Sequence, residues 1–124
     1  MKTESNVLFL DAYNANPTSM QAAIENFAAM KMQNKFLILG DMLELGEESE
    51  KEHVALLELL SQKQLMNTVL VGNVFANLST AHEFKTYKTV EELLPHLDDL
   101  DLKNMYILIK GSRGIKLEKA VEKL

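Results

Sequence analysis

Short apolar runs alternate with helical periodicities from one end of the chain to the other. Val7, Leu8, Phe9 and Leu10 are consecutive and apolar, so residues 6–10 are predicted as a strand buried on both faces. A helix should follow, with Asn16 as its N-cap and Pro17 at the first helical position. Met20, Ala23, Ile24 and Phe27 then fall on one core-facing stripe. Residues 36–39 read as a second strand, closed by Gly40 and Asp41. Glu47, Glu48, Glu50 and Glu52 lead the next helix, to about residue 63, where acidic groups suit the positive end of the helix dipole. A third strand spans 68–71 and ends at Gly72, with a short helix through Val74, Phe75 and Leu78. Residues 84–87 form a weaker fourth strand, and Thr89 with Glu92 predicts a capping box for a helix carrying Val90, Leu93, Leu94 and Leu97. Residues 105–109 are the fifth strand, and a last helix places Leu117, Ala120, Val121 and Leu124 on one face.

Strands alternating with helices argue for parallel pairing through crossovers. The predicted fold is α/β, a Rossmann-like three-layer sandwich around a mostly parallel sheet of about five strands. At 124 residues, the whole of 1–124 is expected to form one domain. The chain has no cysteine, hence no disulfide or thiolate metal site, which fits the cytoplasm. No apolar run has the length needed to cross a bilayer, so no membrane role is expected. The net charge is −5 and the lysines are scattered, which argues against a nucleic-acid partner.

The candidate chemistry gathers at the ends of the predicted strands. All five glycines follow a strand, and Asp11, Asp41, Asn73 and Lys110 share those positions. In an open α/β sheet, ligands bind in the crevice beyond the carboxyl ends of the strands. Glycine there either lets backbone approach a ligand or simply makes a turn. Asp11 can accept hydrogen bonds from a ribose diol, with Tyr13 and Asn14 able to meet a base or sugar. The segment 39–46 is acidic and apolar, and reads as a mobile flap or a partner-facing edge. Lys110, Ser112 and Arg113, between Gly111 and Gly114 at the start of a helix, can form an anion site. His53, His82 and His96 lack metal-ligand spacing and are expected at the surface or on helix flanks. The seven methionines need only core or loop roles. The chain has no G-x-x-x-x-G-K-[ST] segment, and so no P-loop for ATP phosphates.

Three segments, DAYNANPTSM at 11–20, LGDMLELGEESEKEH at 39–53 and IKGSRGIKLE at 109–118, together resemble the C-terminal domain of the Mur ligases. The asparagine-alanine-asparagine-proline form of the first points to the branch that joins D-alanyl-D-alanine to UDP-N-acetylmuramoyl-tripeptide in peptidoglycan synthesis. The resemblance implies a three-domain enzyme, with a UDP-sugar domain and a central ATPase domain carrying the P-loop and magnesium. ATP phosphorylates the peptide carboxylate, and the amine of the dipeptide attacks the acyl phosphate. It implies that Asp11, Tyr13 and Asn14 contact ATP. Lys110, Ser112 and Arg113 would lie near the incoming dipeptide, with Asn73 a further member of that pocket. No metal site and no catalytic residue is implied on this chain. Met1 stands a few residues before the first strand, which is expected of a domain separated from the other two and inactive alone.

Two other readings compete. A receiver-type signalling domain also ends strands in an acid and a lysine, but it needs a phosphorylatable aspartate after the third strand, where this chain has Val71-Gly72. A stand-alone small-molecule or protein-binding module of the same fold, without ligase activity, is the second.

Overall fold

The computed structural model describes residues 1–78 and 83–124. Five strands, β1 (Val7–Asp11), β2 (Lys35–Gly40), β3 (Thr68–Val71), β4 (Lys85–Tyr87) and β5 (Tyr106–Lys110), form one sheet in the order β1-β5-β2-β3-β4. Every pairing is parallel, with Asp11 opposite Lys110 and Leu39 opposite Lys110 on the other side. Helices α1 (Pro17–Ala29), α2 (Ser49–Gln62), α3 (Asn73–Asn77) and α4 (Val90–Leu100) make the crossovers.

Side chains alternate across a strand, so each central strand serves two cores. Leu37, Leu39, Leu70 and Leu108 face Met20, Ile24 and Phe27 of α1, Leu56, Leu57 and Leu60 of α2, and Phe75 of α3. Ile38, Val69, Val71, Ile107 and Ile109 face Val90, Leu93 and Leu97 of α4, together with Leu117, Ala120 and Leu124. The chain thus leaves β1, β2 and β3 toward one face of the sheet and β5 toward the other. The carboxyl end of β5, between β1 and β2, is therefore the topological switch point, where a crevice opens in folds of this kind.

The cap of α1 forms as the sequence predicts, with Asn16 and Ser19 bonding each other's backbone amide at 2.8 and 3.1 Å. Other expectations need correction. The first strand lies at the sheet edge, so Leu8 is buried while Leu10 is exposed; an apolar run does not reveal which strand ends up outermost. The Thr89 hydroxyl caps the Glu92 amide, but the Glu92 carboxylate turns to the Lys88 amide, so the box is not reciprocal. The last helix, Leu117–Lys123, is of the 3-10 type. The i, i+3 spacing of Leu117 and Ala120 suits both helix types, so periodicity alone did not separate them. Among the described residues, no helix is long and apolar enough to cross a membrane.

Candidate functional site

The exit of β5 is tied to three neighbouring loops. Lys110 is 3 % exposed, and its ammonium bonds the Asp11 carboxylate and the Asn14 carbonyl, the latter at 3.0 Å. Asp11 is the outer partner, with its side chain 51 % exposed. The hydrogen bond from Lys110 holds the Asp11 carboxyl below its ordinary 3.8, against the opposing effect of partial burial, with the Tyr13 and Asn14 amides adding to the lowering. Beside this pair, the Arg113 guanidinium lies 4.3 Å from the centre of the Tyr13 ring, which is 68 % exposed. Lys110 and Arg113 thus both reach across to the turn after β1.

Toward β2 the same turn is zipped by two bonds. The Ser112 amide donates to the Asp41 carbonyl at 3.0 Å, and the Leu43 amide donates to the Ser112 hydroxyl at 2.8 Å. Gly111 is required here, because an added Cβ would sit 2.8 Å from the Gly40 Cα and 2.9 Å from Leu117. At this position the glycine serves the approach of two strand ends, not of a ligand.

Asp41 and His53 hold the next loop. The Asp41 carboxylate is buried and accepts from the Val74 and Phe75 amides at 2.9 and 3.1 Å, capping the short α3 from another loop. His53 is fully buried on α2, where its Nε2 accepts from the Met42 amide at 3.0 Å and its Nδ1 meets the Ser49 carbonyl at 2.6 Å. These bonds fix the tautomer, with the proton on Nδ1. The ring also packs edge-on against Phe75, with centroids 4.7 Å apart. His53 is therefore a structural residue of the core, not the surface group that its sequence surroundings suggest. His96 is exposed on α4 against Tyr87, and His82 lies outside the described residues.

The segment 39–46 is correspondingly less free than a flap. Asp41 and Met42 are buried and bonded, and Leu43, Glu44 and Gly46 are its exposed residues. The expected helix dipole beyond Arg113 is also missing, since Arg113–Ile115 is one 3-10 turn and Lys116 breaks it in the left-handed region. Asn73 is exposed on a separate cleft beyond Leu43 that also takes in Gly114 and Lys116. The structure thus brings Asp11, Tyr13, Asn14, Lys110 and Arg113 together, uses Ser112 as a link, and sets Asn73 apart. Among the described residues, no group of three His, Cys, Asp or Glu side chains could hold a metal ion.

The doubly wound parallel sheet, with charged and aromatic side chains gathered at its switch point, places the chain in the Rossmann-like α/β class. The profile of the family described as "Mur ligase, glutamate ligase domain" matches residues 1–113, and the chain belongs to that family. It is 40 % identical over 116 residues to the UDP-N-acetylmuramoyl-tripeptide–D-alanyl-D-alanine ligase of Rickettsia prowazekii, covering 90 % of this chain and 26 % of the relative. A crystal structure of MurF from Acinetobacter baumannii superposes with a TM-score of 0.85 at 33 % identity, over 100 % of this chain and 28 % of that one. MurF ligase from Thermotoga maritima, solved in complex with ADP, gives a TM-score of 0.73 at 27 % identity, over 99 % of this chain and 29 % of that one. The chain spans little more than a quarter of the length of these relatives.

Proposed function

We propose that this chain is the C-terminal domain of an ATP-dependent ligase that adds D-alanyl-D-alanine to UDP-N-acetylmuramoyl-tripeptide in peptidoglycan synthesis. The observation that carries the reading is the double tie at the switch point, Lys110 to Asp11 and Arg113 to Tyr13, in a chain whose relatives are named for that reaction. The proposed partners are the UDP-sugar domain and the central ATPase domain of the same enzyme, with the P-loop and magnesium on the latter. The proposed compartment is the cytoplasm, where ATP is available.

When bound, ATP supplies the phosphoryl group that activates the tripeptide carboxylate. This chain's part is to bind and orient. Asp11, kept ionised by Lys110 and half open to solvent, can accept hydrogen bonds from the ribose diol, with Tyr13 and Asn14 beside it. The ADP complex of the Thermotoga maritima relative supports a nucleotide on a ligase of this kind. Arg113, lying on Tyr13, adds its positive charge to that face, so we assign it to the nucleotide rather than to the dipeptide. Lys110 and Ser112 are positioning residues, since their polar atoms are already engaged with the loops on either side. Asn73 is the member of the dipeptide set that remains exposed on a cleft.

The test is kinetic and uses the full gene product. Asp11→Asn keeps the size and an oxygen for Lys110 but removes the charge. It should raise the KM for ATP about 10- to 100-fold, the loss of one charge-assisted hydrogen bond, and leave the KM for D-alanyl-D-alanine within about twofold. Arg113→Ala should move the same constant, with Arg113→Lys recovering part of the loss. Unchanged ATP kinetics in both variants would return the 11–16 turn to a helix-capping role alone.

A further inference from the structure

We propose that His53 is a positioning residue of the ligase, which fixes the segment 41–43 through the Met42 amide and, by way of Ser112, sets Arg113 for the nucleotide. The inference rests on the ligase reading above and on the assignment of Arg113 made there.

Three consecutive residues after β2 are each fastened to a different part of the chain. The Asp41 carboxylate accepts from the Val74 and Phe75 amides of α3. The Met42 amide donates to His53 Nε2 of α2 at 3.0 Å, and the Leu43 amide donates to the Ser112 hydroxyl at 2.8 Å. The Ser112 amide in turn donates to the Asp41 carbonyl at 3.0 Å. Met42 is therefore the middle tie, flanked on each side by a residue that Ser112 holds. Arg113 follows Ser112 directly, and its guanidinium rests on Tyr13, 4.3 Å from the ring centre. The path from His53 to that guanidinium runs through Met42, the two Ser112 bonds and one peptide unit.

The surroundings of the ring suit placement rather than proton transfer. His53 is fully buried and so does not meet substrate. Asp41 is near, with its Oδ1 3.9 Å from Nε2, but its carboxylate is occupied by α3 and Nε2 by the Met42 amide, which sets this pair apart from an acid–base dyad. What the ring supplies is an acceptor toward Met42 and a donor toward the Ser49 carbonyl at 2.6 Å. Its edge-on contact with Phe75 holds both in direction. Met42 is itself 1 % exposed, so without Nε2 its amide would be a buried donor with no partner. That favours a displaced segment 41–43, and a displacement there moves both Ser112 bonds. The apparent affinity for the nucleotide then falls in proportion to the fraction of molecules that keep Arg113 in place.

The experiment is a double-mutant cycle in the full gene product, with ATP varied in wild type, His53→Leu, His53→Gln, Arg113→Ala and the combination of His53→Leu with Arg113→Ala. Leucine fills the space but accepts no hydrogen bond, whereas the glutamine oxygen can reach the Nε2 position. His53→Leu should raise the KM for ATP about 5-fold or more, the lower end of the cost of a buried unpaired donor, and leave kcat at saturating ATP within about twofold. His53→Gln should keep both constants within about twofold of wild type. In the combination, the KM for ATP should rise no further than in Arg113→Ala alone, because His53 acts through that guanidinium. Should His53→Leu not fold, His53→Asn, whose amide stops short of Met42, takes its place in the cycle. Additive effects, a glutamine variant as impaired as the leucine one, or a leucine variant with the wild-type KM each overturn the assignment and leave the ligase reading intact. An Arg113→Ala variant with unchanged ATP kinetics overturns the nucleotide role of Arg113 and this inference with it. A wild type that does not turn over D-alanyl-D-alanine overturns the ligase reading itself, and the inference falls with it.

Discussion

Gly72→Ala should lower the stability of the 124-residue chain by at least about 3 kcal/mol, with the melting temperature falling by roughly 10 °C or more. Gly72 has φ 133 and ψ 161, a region essentially reserved for glycine. An added Cβ would also fall 2.2 Å from the Asp41 carboxylate. Backbone strain of this kind costs about 1–3 kcal/mol, and hydrogen bonds to a charged group are worth about 1.5–3 kcal/mol. Both penalties apply at once, because the displaced carboxylate loses the Val74 and Phe75 amides. Gly46→Ala is the control. Its φ of 61 is also left-handed, but an added Cβ meets nothing within 4 Å, so only a modest backbone penalty of about 1 kcal/mol applies. Thermal unfolding followed by circular dichroism separates the two. Equal losses in both variants would mean that Asp41 does not depend on the space beside Gly72.

Asp11→Ala and Lys110→Met should differ, although each removes one half of the same ion pair. Asp11→Ala leaves a buried ammonium with only the Asn14 carbonyl, and should cost about 2–3 kcal/mol, less than a fully buried pair because Asp11 itself is half exposed. Lys110→Met removes the buried charge, keeps an unbranched side chain in its place, and lets the Asp11 carboxylate return to water. Its cost should stay below about 1 kcal/mol. The acid dependence follows from the depressed carboxyl of Asp11. The pair's contribution is present above the ordinary carboxylate value of 3.8 and disappears as pH falls through the lower folded value. In Lys110→Met the Asp11 carboxyl should titrate higher than in the wild type, because its largest lowering influence is gone, and carbon-detected NMR of that side chain reads this directly. An unshifted titration, or equal stability losses in the two variants, would contradict the pairing.

The parts of the molecule that were legible in the sequence are those set by local pattern. The stripe Met20-Ala23-Ile24-Phe27, the Asn16 cap with Pro17, and the third strand ending at Gly72 all follow from spacing over a few residues. The parts that were not legible depend on which strands become neighbours. Leu10 is exposed because β5 returns to pair with β1 and leaves it outermost. His53 looks like a polar helix residue until the Met42 amide is brought to its Nε2 from a different loop. Ser112 and Lys110 stand in a turn whose composition suggests an anion site, yet their polar atoms bond Leu43, Asp11 and Asn14. The one signal that could have flagged part of this is the pairing of an acid after β2 with a glycine after β3, since neighbouring parallel strands place their exits side by side.

We propose that this domain serves a ligase whose amine substrate is D-alanyl-D-alanine. It is tested most directly by ADP release from the full gene product, with ATP and UDP-N-acetylmuramoyl-tripeptide present and the amine varied. Release should require both the tripeptide and D-alanyl-D-alanine, with single amino acids giving background rates. Release driven by a single amino acid, or none with the dipeptide, would contradict it.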